Sequence, residues 1–323
     1  MLNRRHLVAS LALASFAGST VKVAAAAEWP QRSVRIFYPY AAGSTGDATA
    51  RLIAARFSNS FGQPFVVENH AGANGVIATE AVARSPADGY TLLFAATPPI
   101  AVAPAMMKVS YAAVKDFVPI SAISSNRFAL VVNAKVPVKT VAEFIDYVRA
   151  QSTAFAYADG GTGSLTHLNM VLLLDRAGLS ATHVSYKGNG LTDVVAGHLP
   201  AMFALLGDAL PQEKNGSIRI LAVSSEHRSL LVPNVPTVAE SGFPGFNVTS
   251  WWGLMAPAHT PQAIVNRIAA EVADATRDPK ILAQLANFGV DPLGNSSSEF
   301  AAMIASDIKL WAEAIKLAGL QGN

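Results

Sequence analysis

The chain has 323 residues, with 24 Lys or Arg against 22 Asp or Glu, a formal net charge of +2 and no cysteine. Such a length holds a real core, as two lobes rather than one. The lack of thiols excludes disulfides and thiolate metal sites. The chain opens with Arg4-Arg5, a short apolar run from His6 to Ala17 and a small-residue stretch Ala24–Ala27 before Glu28. This pattern predicts a secretory signal over residues 1–27, exported by the Sec or the twin-arginine route. The apolar run, about a dozen residues, is shorter than the roughly 20 a membrane span needs. Without a cysteine there is no lipid anchor, so the expected location is periplasmic. Three of the basic residues and no acidic one precede Glu28, which leaves a net charge of −1 on the remainder. The basic excess belongs to the signal, and nucleic-acid binding loses its support.

After the signal, strands and helices alternate. Strands are predicted at 34–38, 65–67, 90–95, 117–123, 128–133, 155–158, 183–186, 200–205 and 218–223. Helices are predicted at 48–61 and 75–84. The fully apolar run Tyr90–Ala95 reads as a parallel strand covered on both faces. The alternation predicts an α/β fold with mainly parallel sheets. Helix starts are marked by Thr140-Val-Ala-Glu143, Thr260-Pro261, Asp278-Pro279 and Ser296-Ser-Ser-Glu299. Gly178, Gly289 and Gly319 mark helix ends.

Two loops stand out. Loop one is Pro39-Tyr-Ala-Ala-Gly-Ser-Thr-Gly-Asp47, and loop two is Asp159-Gly-Gly-Thr-Gly-Ser-Leu-Thr166. Each follows a strand and precedes a helix, the ligand-facing edge of a parallel sheet. A helix start there offers free N–H groups and partial positive charge, so a carboxylate or phosphate is the natural guest. Neither loop carries a nucleotide-binding glycine pattern. No Gly-x-Ser-x-Gly elbow or metal-spaced histidine motif occurs, so neither catalysis nor a metal or cofactor is expected.

Several further segments fall in a specific order: Trp29-Pro30, Pro39-Tyr40, Gly62-Gln63-Pro64, Ala87-Asp-Gly-Tyr-Thr-Leu92, Tyr157-Ala158, Gly161-x-Gly-Ser164, Tyr186-Lys187-Gly188, Val235-Pro-Thr-Val-Ala-Glu-Ser-Gly242 and Trp252-Gly253. In these the chain resembles the substrate-binding proteins of tripartite tricarboxylate transporters, the Bug family. The resemblance implies a periplasmic-binding-protein fold of two α/β lobes joined by hinge strands, with a small organic acid in the cleft. The expected boundaries are 28–127 plus 252–323 for lobe one and 128–251 for lobe two. Implied partners are the membrane permease subunits or, alternatively, a sensor-kinase ectodomain, with the protein itself a monomer. A periplasmic hydrolase is the third reading.

Carried onto this chain, the resemblance nominates Tyr40, Ala42, Gly43, Ser44 and Thr45, then Gly161, Gly163, Ser164 and Thr166, with Thr97 from lobe one. Asp47, expected chiefly as a helix cap, His167, expected chiefly as a packed histidine, and Tyr186 are further candidates. Arg51 fits a helical pair with Asp47. Trp251-Trp252 offers either an aromatic wall or a hinge. The chain departs from the family at Ser44, at Gly46, at Asp159 where a Ser is common, and at Ala204, with an acid instead at Asp208. A carboxylate at Asp159 repels an anionic guest unless it pairs with a donor group of the ligand or turns away to cap the loop.

Overall fold

A computed structural model describes residues 29–151, 155–186 and 190–322. The expected signal and the Lys187-Gly188 pair of the Tyr186 motif lie outside them. Strand β1 (Val34–Tyr38) pairs in parallel with β2 (Phe65–Asn69) and with β3 (Thr91–Ala96). Helix α1 (Thr45–Phe61) connects β1 to β2, and α2 (Val76–Ala83) precedes β3. All six residues of β3 are buried. Leu92 and Phe94 enter one core cluster, Leu93 and Ala95 the other, so both faces are covered.

After the short α3 (Ala103–Met106) comes β4, a single strand from Phe117 to Asn133. The sequence divides it in two because its centre, Ser124-Ser-Asn-Arg127, is polar. That centre is where β4 leaves one sheet for the other. Its first half pairs with the antiparallel β9 (Thr249–Pro257), with register shifts at Pro119/Ser121 and Ala122/Ser124. Its second half pairs with β7 (Ala201–Leu205) and β8 (Ile218–Val223), both antiparallel. In lobe two, α4 (Val141–Gln151) leads to β5 (Ala156–Asp159), which pairs in parallel with β6 (Thr182–Ser185) across α5 (Leu165–Arg176). Two helices flank β7, α6 (Leu191–Ala196) and α7 (Leu206–Lys214). The sheets are therefore mixed, not mainly parallel: the two crossing strands, β4 and β9, run antiparallel to each other and to their neighbours.

The chain closes with α8 (Gln262–Ala275), α9 (Pro279–Asn287), the two-residue β10 (Asp291–Pro292) and α10 (Ser297–Leu317). Ser296 and Glu299 form the expected capping box, and Asp278 caps α9. Thr260 does not cap α8; its hydroxyl donates to the Pro257 carbonyl instead. Helix α10 crosses between lobes. Phe300 and Ile304 pack beneath the lobe-one sheet, while Trp311, Ala314 and Ile315 belong to the lobe-two core. Among the described residues no helix is long and apolar enough to cross a membrane.

Candidate functional site

The two loops are built alike. Ser44 caps α1 by accepting the Asp47 N–H at 3.2 Å, and Ser164 caps α5 by accepting the His167 N–H at 3.2 Å. In each loop the third helical residue reaches back to a glycine. Asp47 Oδ2 accepts the Gly43 N–H at 3.1 Å, and His167 Nδ1 accepts the Gly163 N–H at 3.1 Å. Both glycines have positive φ, +85° and +76°. The pattern is Gly-Ser-x-x-Asp in one lobe and Gly-Ser-x-x-His in the other. Among the described residues no hydrogen bond reaches the N–H of Thr45 or Leu165, the first residue of each helix.

Asp47 is thus not the cap of α1; Ser44 stands where the turn needs the short hydroxyl. Asp47 is buried instead, accepting from Asn69 at 2.8 Å and pairing with Arg51 at 3.0 Å. Burial works against its charge, but the bonds from Arg51, Asn69 and Gly43 hold its carboxyl below the usual range. Asn69 also donates to the Tyr40 carbonyl at 3.1 Å, so the network fixes the loop.

Asp159 turns away from the cleft. It is fully buried, its Oδ1 accepts the Gly161 N–H at 2.7 Å, and its Oδ2 lies 2.9 Å from His183 Nδ1. His183 stacks on His167 with ring centroids 4.2 Å apart. Asp159, His167 and His183 place potential metal-binding atoms within 4.8 Å of one another. Yet the Nδ1 atoms and both carboxylate oxygens are occupied, and stacked rings direct their lone pairs side by side rather than to one point. The trio wedges loop two from behind.

The cleft lies between the loops. It encloses about 260 Å³ and is lined by Tyr40, Ala96 and Pro98 of lobe one, Asn126, Phe128, Ser250, Trp251 and Trp252 of the crossing strands, and Gly160, Ser164, Leu165, Thr166 and Leu205 of lobe two. Burial raises the Tyr40 pKa, so its phenol remains a donor. Thr166 Oγ1 accepts the Gly160 N–H at 2.9 Å and bonds Ser164 Oγ at 2.9 Å. A smaller recess adjoins the cleft, with Asn126, Leu205 and Trp252 in both walls; it adds Thr45, Arg127 and Asp208.

Of the nominated residues, Tyr40, Ser164 and Thr166 line the cleft, and Thr45 and Asp208 the recess. Ala42, Gly43 and Ser44 form the exposed turn of loop one, outside both walls. Thr97 is fully buried, accepting the Trp251 N–H at 3.0 Å, so it ties β3 to β9 rather than facing a ligand. Tyr186 donates its hydroxyl to Asp193, away from the cleft. Gly161 (φ +126°) stands near the Tyr186 carbonyl, and Gly163 is buried against Met106: a Cβ there would lie 2.3 Å from Met106 Cε. Sequence reasoning missed Asn126, Phe128, Ser250 and Leu205. Trp251 and Trp252 both border the cleft. Trp251 is buried, with Nε1 2.7 Å from Asp307, while Trp252 also reaches the recess.

The family model described as the tripartite tricarboxylate transporter family receptor matches residues 49–320. The chain belongs to this family. Protein BugT of Bordetella pertussis is 31% identical over 98% of this chain and 99% of its own length. Among solved structures, the R. palustris protein Rpa4515 with adipate is 34% identical, with a TM-score of 0.77 over 90% of this chain and 98% of that one. MatC from Rhodopseudomonas palustris with bound malate is 30% identical, with a TM-score of 0.73 over 89% of this chain and all of the other. The two-lobed α/β receptor fold expected from the sequence is therefore the fold of this family.

Proposed function

We propose that this receptor is a non-catalytic periplasmic protein that captures a small carboxylate-bearing molecule and delivers it to the membrane subunits of a tripartite tricarboxylate-type transporter. The observation that carries the reading is the paired loop design. Residues of both helix-start loops line one continuous cavity between the lobes, with hydroxyl donors from Tyr40 and Ser164. Among the described residues no lysine lines it, and the one arginine that does is already paired with Asp291. A carboxylate in the cleft is then held by neutral donors and the helix-start N–H groups of loop two, which bind anions without a countercharge. Relatives solved with adipate and malate support the same ligand class.

The test is a thermal-shift series on refolded protein lacking residues 1–27, against mono-, di- and tricarboxylates, sugars and amines. A carboxylate at 100 times its Kd adds about 2.7 kcal/mol of stability. Stabilisation by sugars or amines alone, with every carboxylate inert, would sink the reading.

A further inference from the structure

The recess beside the cleft has a chemistry of its own. Its volume is about 20 Å³. On that measure a single water occupies roughly 10–15 Å³, so the space admits one small head group. Its two charged wall residues are Arg127 and Asp208. Arg127 is neutralised by its ion pair with Asp291, and its Nε is taken by Ser225 at 2.8 Å. Asp208 has no hydrogen bond or ion pair among the described residues. Solvent reaches it, yet the atoms crowded around it raise its pKa by desolvation. Asn126, only 4% exposed, stands in the wall shared with the cleft. Its Nδ2 donates to Ser250 Oγ at 3.3 Å, and its Oδ1 has no partner. An exposed, unpaired carboxylate and a buried, unpaired amide oxygen therefore border one small recess. Both are acceptors, and the buried one, Asn126 Oδ1, is unfavourable while unmatched.

We infer that this recess is a distal subsite for a hydrogen-bond donor, so that the ligand carries one carboxylate and, at its other end, an ammonium or amide N–H group that bonds Asp208 and Asn126. The inference rests on the carboxylate reading of the cleft and makes Asp208 the residue that sets specificity. A second carboxylate at the far end meets like charge from Asp208 and an oxygen from Asn126, both repulsive.

The test is calorimetric titration at pH 7.5 with two matched sets. The six-carbon set is adipate, adipamate, 6-aminohexanoate and hexanoate; the four-carbon set is succinate, succinamate, 4-aminobutanoate and butanoate. In the set that binds, the donor-headed compounds bind at least tenfold tighter than the diacid and the plain acid. Asp208→Asn reduces the preference for the amino acid over the plain acid at least tenfold. Asp208→Lys reverses the order toward the diacid. Tighter binding of the diacid to the unmodified protein overturns the subsite while leaving the carboxylate reading intact; it would mean that Asn126 turns its NH₂ to the recess. Equal binding of the plain acid also overturns it, because the recess then contributes nothing. If no member of either set binds, the subsite falls, and the carboxylate reading is decided by the thermal-shift series alone.

Discussion

Gly289 of lobe one lies directly on Gly207 of lobe two: a Cβ built on Gly289 would sit 2.5 Å from the Gly207 Cα. One built on Gly207 would meet the Phe288 carbonyl at 3.2 Å and the Gly289 Cα at 3.3 Å. Both glycines border the recess, so the lobes touch backbone to backbone at its mouth. Gly289 also ends α9 with φ +73°, a conformation that itself favours glycine.

Gly207→Val should prop the lobes apart at this point. Gly207 does not share Gly289's positive φ, so the change adds bulk without left-handed strain. Ligand affinity should fall at least tenfold, with a larger ligand-bound radius of gyration by small-angle scattering. Normal affinity and unchanged scattering would show that this contact is not part of the bound state.

Asp47 and Asn69 should act as one unit. Asp47→Ala leaves the Gly43 N–H and the Asn69 amide short of an acceptor, at a cost of about 1–3 kcal/mol. Asn69→Ala removes part of the same network. In denaturant unfolding the double variant should lose less than the sum of the singles, with a coupling of at least about 0.5 kcal/mol. Simple additivity would separate them.

His167 predicts acid sensitivity. Burial first, and the facing His183 second, lower its pKa despite the opposing charge of Asp159. A histidine with a depressed folded pKa binds fewer protons folded than unfolded. Its contribution is therefore present above the unfolded value, near 6.5, and lost as pH falls below it. Protonation at Nδ1 also removes the acceptor for the Gly163 N–H. His167→Gln should flatten the fall in stability between pH 7 and pH 5, read as the difference between variant and parent melting curves. Parallel curves would exclude this role.

Asp307 predicts the opposite slope. Burial raises its pKa to about 6 against the opposing bond from Trp251 Nε1. The folded form holds its proton longer than the unfolded form, so stability is lost as pH rises from about 4 through 6. Asp307→Asn keeps an acceptor for Trp251 and removes the charge. It should stabilise the protein at pH 8 by up to about 3 kcal/mol and have little effect at pH 4. Equal effects at both values would contradict the shift.

The loops were legible because their signals are local. A glycine, a serine and a helix start sit within five residues, and the hydroxyl has one productive place to go. Side-chain direction was less legible. Asp47 and Asp159 both turn inward because each finds a backbone N–H and a side-chain donor beneath its own loop, at Arg51 and Asn69 in one case and His183 in the other. The cleft walls were hidden for another reason. Asn126 and Ser250 are 124 positions apart and meet only through antiparallel pairing of β4 with β9. Their polar character marked the middle of β4 as a break, when it marks the point where one strand serves both lobes.

Helix α10 bears on how the cleft can open. A rod of 21 residues is about 31 Å long, comparable to a small domain. One end is seated in each core, and its far end leads to Leu320, whose Cδ1 would lie 3.6 Å from a Cβ on Gly163. Together with the two crossing strands it joins the halves as a splint joins a fracture. Twist and shear between the halves would tear its apolar seats, whereas a swing about a single axis need not. A door-like swing is therefore the motion that this seating permits, with the chain's last turn held against loop two.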